Sequence, residues 1–333
     1  MKKISETSDV NLVEKLVEAK MAIIEQLRNV IVGQQDVIDQ LLISLFAKGH
    51  CLIVGVPGLA KTLIVSTISQ ILNLQFSRIQ FTPDLMPSDI TGTEVIQENI
   101  STGERTFKFI KGPIFASIVL ADEINRTPPK TQSALLQAMQ EYKVTVARQT
   151  YQLPDPFFVL ATQNPIEQEG TYPLPEAQLD RFFFQINIDY PSQDDEKEII
   201  RKTTGTYLPQ TKSILSSSEI LALQEIIRKV PVSDYVIDYV IRLVSESRPK
   251  NSSFDFIKKW INWGASPRAS QNFILAGKAR AVLDGRYTVS VEDIEHVAYS
   301  VLRHRLILNY TAEADGLTSE EIIKKLLENV KPK

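Results

Sequence analysis

Four stretches of this chain hold residue types that together could transfer a phosphoryl group. The first is GVPGLAKT, residues 55–62, which follows the apolar run Leu52–Val54. Gly55 and Gly58 permit a tight turn and close approach of backbone to an anion, with Val56, Pro57 and Leu59 between and after them. Lys61 would reach the β and γ phosphates of a nucleotide, and the Thr62 hydroxyl would bind Mg²⁺. A helix expected to start near Ala60 and run on through Leu63 aims free N–H groups and a positive dipole end at the same anion. Ala60 stands where the pattern G-x-x-x-x-G-K-[ST] has its second glycine. An alanine is tolerable there if φ is negative and helix-like, because only positive φ penalises a Cβ strongly.

The second stretch, Ile118 to Glu123, is an apolar strand ending in two carboxylates. Asp122 is expected in the Mg²⁺ shell, and Glu123 is expected to polarise the attacking water. The plainer alternative is a pair that caps the next helix. Third, Phe157–Ala161 leads into Thr162-Gln163-Asn164-Pro165, where the Asn164 amide could orient the same water. Alone, Asn164 would pass for a turn residue before proline. Fourth come two arginines, Arg181 in QLDRF and Arg268 in ASPRA, as sources of positive charge on the developing oxyanion. Singly, each would be read as a surface arginine. It is the ordered set that points to nucleotide hydrolysis.

The elements that must hold these residues follow from hydrophobic spacing. Val13, Val17, Met21, Ile24 and Leu27 recur at helical period, as do Val37, Leu41, Leu42 and Leu45 in a second helix over 36–47. Short runs at Leu52–Val54, Phe76–Ile79, Ile118–Ala121, Phe157–Ala161 and Phe183–Ile188 are strand-length and apolar on both faces, with helical patterns between several of them. That alternation predicts a parallel sheet covered on both sides. Two segments interrupt it: residues 81–112, with a hairpin expected around Ser101–Gly103, and residues 142–153, with a hairpin around Ala147–Gln149. Insertions of that length are more often functional than decorative. Beyond Tyr190-Pro191-Ser192 only helical patterns are evident, with capping boxes at Ser216-x-x-Glu219 and Ser290-x-x-Asp293. The expected division is an α/β core over 1–190 and an all-helical part over 191–333.

Composition narrows the function classes. With 333 residues, 43% apolar and 23% charged, the chain has ample material for a packed core, and its length suggests about two domains. A formal net charge of −3 leaves no overall footprint for nucleic acid or an anionic membrane. No apolar run reaches the ~18–20 residues of a membrane span, and MKKISETSDVNLVEKLVEAK lacks the apolar stretch of a secretory signal. The expected location is the cytoplasm. The single cysteine, Cys51, excludes an internal disulfide framework and reads as a small buried strand residue, while His50, His296 and His304 form no ligand pattern.

Taken together, GVPGLAKT (55–62), ADEINRTPPKTQSALLQAMQE (121–141), ATQNP (161–165), GTYPLPEAQLDRF (170–182) and GASPRAS (264–270) resemble the MoxR family of AAA+ ATPases. The resemblance runs from about Val30 to about Leu302, and alanine before the loop lysine is common in that family. It implies a parallel-sheet P-loop core followed by a smaller helical lid domain, with ATP or ADP and Mg²⁺ as cofactors. Carried over by motif, Asp122 and Glu123 are similar to the Walker B pair, and Asn164 to sensor 1. Arg181 resembles an arginine finger that reaches a neighbouring subunit's nucleotide, and Arg268 resembles a sensor 2 that closes the lid on the γ-phosphate. Residues 31–34, including Val32 and Gly33, resemble the segment beside adenine. The resemblance further implies a ring, usually a hexamer, that acts like a chaperone on protein complexes, often with a von Willebrand factor A domain partner. Two other readings stay open on sequence: a DNA motor, supported by Lys108, Lys111, Lys143 and Arg148, and a scaffold whose assembly ATP merely sets.

Overall fold

The computed structural model describes residues 6–98, 103, 105–166, 170–205 and 210–332. Its strands are β1 (Cys51–Val54), β2 (Phe76–Gln80), β3 (Gly92–Glu98), β4 (Arg105–Lys111), β5 (Ile118–Asp122), β6 (Lys143–Val146), β7 (Gln149–Gln152), β8 (Phe158–Gln163), β9 (Phe184–Asn187), β10 (Ile261–Trp263) and β11 (Ile307–Leu308). Five of them form one sheet in the order β2-β5-β8-β1-β9, with every neighbouring pair parallel. The loops after β1, β5 and β8 therefore all leave the same rim, where ligands of open α/β sheets bind.

Period-two alternation divides the strand residues between two cores. Cys51, Ile53, Ile118, Leu120, Phe158 and Leu160 join one, together with α1 (Glu6–Val30), α2 (Gln35–Phe46) and α3 (Lys61–Ile71). Leu52, Val119, Ala121, Val159 and Ala161 join the other, with Ile90 of α4 (Pro87–Thr91) and Leu135, Leu136 and Met139 of α5 (Pro129–Glu141). Cys51 lies in the first core, where burial pushes its thiol up to about 12. One strand departs from the apolar expectation: edge strand β2 exposes Arg78 and Gln80.

The first helix also differs from its expected register. Its buried stripe is Val13, Leu16, Ala19, Ile23 and Leu27, whereas Met21 is 61% exposed and Val17 and Ile24 are half-buried. Both stripes have helical spacing, and the neighbours choose between them. Helix α1 lies against α3 and also against α8 (Ser217–Lys229) and α11 (Pro267–Leu283). Ion pairs Lys15–Glu219 and Lys20–Asp284, at 2.5 and 2.9 Å, sit along that seam.

A short helix α6 (Glu176–Leu179) separates β8 from β9; beyond the sheet, α7 (Gln193–Thr203) leads into helices α8, α9 (Asp234–Glu246), α10 (Asp255–Trp260), α11, α12 (Val291–Leu302), α13 (Tyr310–Ala314) and α14 (Ser319–Asn329). Both expected capping boxes are present, and Thr318 with Glu321 forms another. The C-terminal part is not purely helical, because β10 and β11 pair antiparallel there. Strands of three and two residues are too short to leave a period in the sequence. The expected inserts are antiparallel hairpins, β3–β4 and β6–β7, although residues 101 and 102 of the first tip lie outside the described residues. An aromatic seam joins the two hairpins: Phe109 stacks on Tyr151 with centroids 4.1 Å apart and meets Phe115 edge-on at 5.8 Å.

Candidate active site

Strand β1 ends at Val54 and the chain turns through residues 55–60 into α3. Only glycine fits at 55, since a Cβ there would lie 2.6 Å from the Ile188 carbonyl oxygen. Gly58 takes φ +85°. Ala60 departs from expectation: its φ is +55° and ψ 20°, left-handed rather than helix-like. A Cβ in that well costs about 1–2 kcal/mol. In return the Ala60 carbonyl accepts from the Ile64 N–H at 2.9 Å, so the helix starts abruptly at Lys61. No side chain caps α3, which leaves its first N–H groups available to an anion.

A cavity of about 440 Å³ opens over this helix end, lined by residues 57–63 together with Arg78, Asp122, Glu123 and Asn164. Gly55 and Val56 sit behind the wall. The structure thus brings Lys61, Thr62, Asp122, Glu123 and Asn164 together, as expected from their motifs. The Lys61 ammonium donates to the Gly55 carbonyl; its pKa is lowered, mainly by burial, against the opposing pull of Asp122 and Glu123. Glu123 adopts φ +57°, the second non-glycine residue of this site in the left-handed well. Asn164 is 5% exposed and its side-chain oxygen accepts from the Ile166 N–H at 3.1 Å, so it secures the loop and lines the cavity at once.

Sequence reasoning missed the residues that hold the two carboxylates. The Thr162 hydroxyl donates to Asp122 Oδ1 at 2.6 Å and accepts from the Glu123 N–H at 2.8 Å. Arg78 donates twice to Asp122 Oδ2, at 2.6 and 3.1 Å. Gln80 and Arg126 donate to Glu123 Oε2 at 2.8 and 3.0 Å. The available signal was the polar pair Arg78 and Gln80, two apart on one side of a strand otherwise read as apolar.

Residues 31–34 lie between α1 and α2 and do not line the cavity. They are tied to it through the chain: the Gln34 side chain donates to the Asp189 carbonyl at 3.0 Å, one residue beyond the Ile188 that Gly55 faces.

The two arginines lie elsewhere. Arg181 precedes β9 by three residues, and Cys51 pairs with Phe184, so Arg181 sits at the amino rim of the parallel sheet, opposite the phosphate loop. Four strand residues put roughly 13 Å between the rims. Arg181 donates to the Leu136 carbonyl at 3.1 Å. With Arg268, Arg228, Lys48 and Asp180 it lines a separate cavity of about 250 Å³. Arg268, expected to close the lid on the γ-phosphate, stands within this chain 3.7 Å from Asp180 on the far rim. Asp180 is the hub of that rim, accepting from the Ser266 hydroxyl and from Arg305 Nε, both at 2.8 Å.

The oxygens facing the phosphate cavity suit a hard divalent cation, because Thr62 and Asp122 are oxygen donors beside a helix end shaped for phosphate. Among the described residues no cluster of three or more His, Cys, Asp or Glu could cage a metal alone.

Comparison with known proteins agrees with this geometry. Residues 50–184 match the profile of the ATPase family associated with various cellular activities (AAA), and residues 257–326 match that of the AAA lid domain. The chain is 47% identical over 306 residues to "Chaperone MoxR1" of Mycobacterium tuberculosis, covering 92% of this chain and 80% of that one. It is 28% identical over 300 residues to "Protein MoxR" of Paracoccus denitrificans, covering 85% and 87%. The crystal structure of a candidate ATPase from Cytophaga hutchinsonii superposes with a TM-score of 0.88 at 44% identity, covering 96% of this chain and 97% of that one.

Proposed function

Because the chain belongs to the MoxR family of AAA+ ATPases, we propose that it hydrolyses Mg²⁺-ATP at the subunit interfaces of a cytoplasmic ring and uses the cycle to remodel protein complexes. One observation carries this reading. The phosphate-facing groups lie on one rim of the sheet and the two arginines on the other, so one chain holds two halves of a site that it cannot join. A second copy, docked amino rim to carboxyl rim, would bring Arg181 and Arg268 to its neighbour's nucleotide. Head-to-tail contact of that kind closes into a ring when the rotation between copies closes, and the ring proposed here is a hexamer.

Within each site, Lys61 and the N–H groups opening α3 bind the β and γ phosphates. Thr62 and Asp122 would hold a Mg²⁺ ion, which would supply positive charge at the phosphate oxygens. Glu123 orients the attacking water once Gln80 and Arg126 yield its carboxylate, and Asn164 fixes the same water from the next strand tip. Arg181 stabilises charge on the transferring group, and Arg268, from the same subunit as Arg181, assists in trans.

The step has a path to the inserts. Glu123 leads through Ile124–Arg126 into α5, α5 runs into β6–β7, and Tyr151 of β7 stacks on Phe109 of β3–β4. That outer hairpin carries Ile96 and Phe107, 62% and 73% exposed and directly paired, with Ile110 beyond them. Exposed apolar pairs suit a protein client. Lys108 and Lys111 point to opposite faces of the same hairpin, so they make no single basic stripe for DNA. A von Willebrand factor A domain protein is the partner to test first.

The test is the steady-state ATPase rate against protein concentration for wild type, Glu123→Gln and Arg181→Ala. The per-subunit rate should climb with concentration and collapse in both variants, by ~10³-fold or more for the arginine. A concentration-independent rate that survives Arg181→Ala would sink the shared-site mechanism.

A further inference from the structure

The edge strand β2 sends two polar side chains toward the acidic pair at the end of β5. Register pairs Arg78 with Leu120 and Gln80 with Asp122, and the pleat turns Arg78 and Gln80 to one face. The result is a closed set of contacts around Asp122. Its side chain is only 15% exposed, and both oxygens are engaged. On one side the Thr162 hydroxyl is locked in place by the Glu123 N–H. On the other the Arg78 guanidinium makes two bonds and is steadied by Gln80 Oε1 at 2.9 Å. Arg78 is 49% exposed and lines the phosphate cavity, so of the two partners it is the one with room to leave.

We propose that Arg78 is a counter-ion of Asp122 and competes with a divalent cation for that carboxylate. The inference rests on the nucleotide site proposed above. A cation that takes Asp122 Oδ2 must displace Arg78, and the freed guanidinium then faces the cavity where the phosphates lie. Without metal, Arg78 offsets carboxylate charge that would otherwise repel a triphosphate. With metal, it is a rival that must be expelled. Arg78 is therefore a positioning residue that sets how strongly nucleotide binding depends on Mg²⁺.

The experiment is calorimetric binding of a hydrolysis-resistant ATP analogue in Mg²⁺ and in EDTA, for wild type, Arg78→Gln and Arg78→Lys, with thermal unfolding as a fold check. In Arg78→Gln the ratio of the EDTA Kd to the Mg²⁺ Kd should rise about tenfold, the scale of a hydrogen bond to a charged group. Arg78→Lys, which keeps the charge but loses the fork, should raise it less. If Arg78→Gln does not fold, the lysine variant carries the test alone. A ratio that is unchanged or lower in a folded variant that still binds the analogue overturns the proposal. Wild type that binds no analogue in either buffer overturns the nucleotide site itself, a distinct outcome.

Discussion

Replacing Asp180 should unfold this protein more readily than its partly exposed setting suggests, and a second substitution should repair much of the damage. Arg305 is buried, with its side chain 1% exposed, and burial brings its pKa down to about 10, so it stays charged at neutral pH. Its Nε donates to Asp180 Oδ1 at 2.8 Å, while its other nitrogens reach the carbonyls of Asp180, Phe182, Phe183 and Val301. Asp180→Ala leaves that cation with carbonyl dipoles alone. Breaking one side of a buried pair costs about 3–5 kcal/mol, and Asp180→Asn, which keeps an acceptor, should cost about half of that. Arg305→Met combined with Asp180→Ala leaves no orphaned charge, and replacing both members of a buried pair by apolar groups is often close to neutral. The double variant should therefore be about 2–3 kcal/mol more stable than the sum of the single losses predicts. Urea unfolding of wild type, Asp180→Ala, Asp180→Asn, Arg305→Met and the double variant at one pH measures this directly. Additive losses, or an Asp180→Ala cost below about 1 kcal/mol, would refute the argument that Asp180 compensates a buried charge. Asp180 also accepts from Ser266 and stands beside Arg268, so on the proposed shared-site mechanism even Asp180→Asn should lower the ATPase rate.

Two further outcomes follow from the geometry. His50 is 6% exposed, accepts from the Val159 N–H at Nδ1 and faces the Met139 carbonyl with Nε2, and burial lowers its pKa from 6.5 to about 4. Only the unfolded chain takes up a proton as pH falls from 6.5 toward 4, so stability drops through that window, by about 2–3 kcal/mol at pH 4.5 from His50 alone. His304 acts in the same direction, whereas Glu219, held down to about 2, contributes its loss below 4.5. Urea midpoints at pH 7 and 4.5 should converge in His50→Gln relative to wild type; an equal pH dependence in both would exclude His50 as the cause. Ala60→Gly should relieve the left-handed alanine by about 1–2 kcal/mol, less about 0.5–1 kcal/mol for the looser unfolded chain. The net is a small rise in Tm with unchanged nucleotide affinity, and a fall in Tm would show that Ala60 bears no strain.

Much of the site was legible because its parts are local. A glycine-bearing loop between an apolar run and a helix, or two carboxylates ending a strand, can be recognised from contiguous residues, and five of the expected groups do line one cavity. The alternation of apolar strands and helices likewise implied the parallel sheet, since a strand buried on both faces needs helices on both sides. Three things were not local. The buried stripe of α1 was chosen by α3, α8 and α11 between two stripes of equal spacing. The φ of Ala60 was set by the abrupt entry into α3, and the preference of alanine was overruled. Arg268 was separated from the phosphate loop because its partners Asp180 and Ser266 sit on the opposite rim.

Sequence alone determined the chemistry on offer: an anion-binding loop, an acidic strand end, an amide beside it and two distant arginines. Tertiary structure decided which of these meet. Parallel strands send every carboxyl end to one rim, so Lys61, Asp122, Glu123 and Asn164 converge, while residues that enter the strands, such as Arg181, are held a strand's length away. It also recruited Arg78 and Gln80, whose role depends on pairing with a strand some forty residues later, a long-range contact that no local pattern encodes.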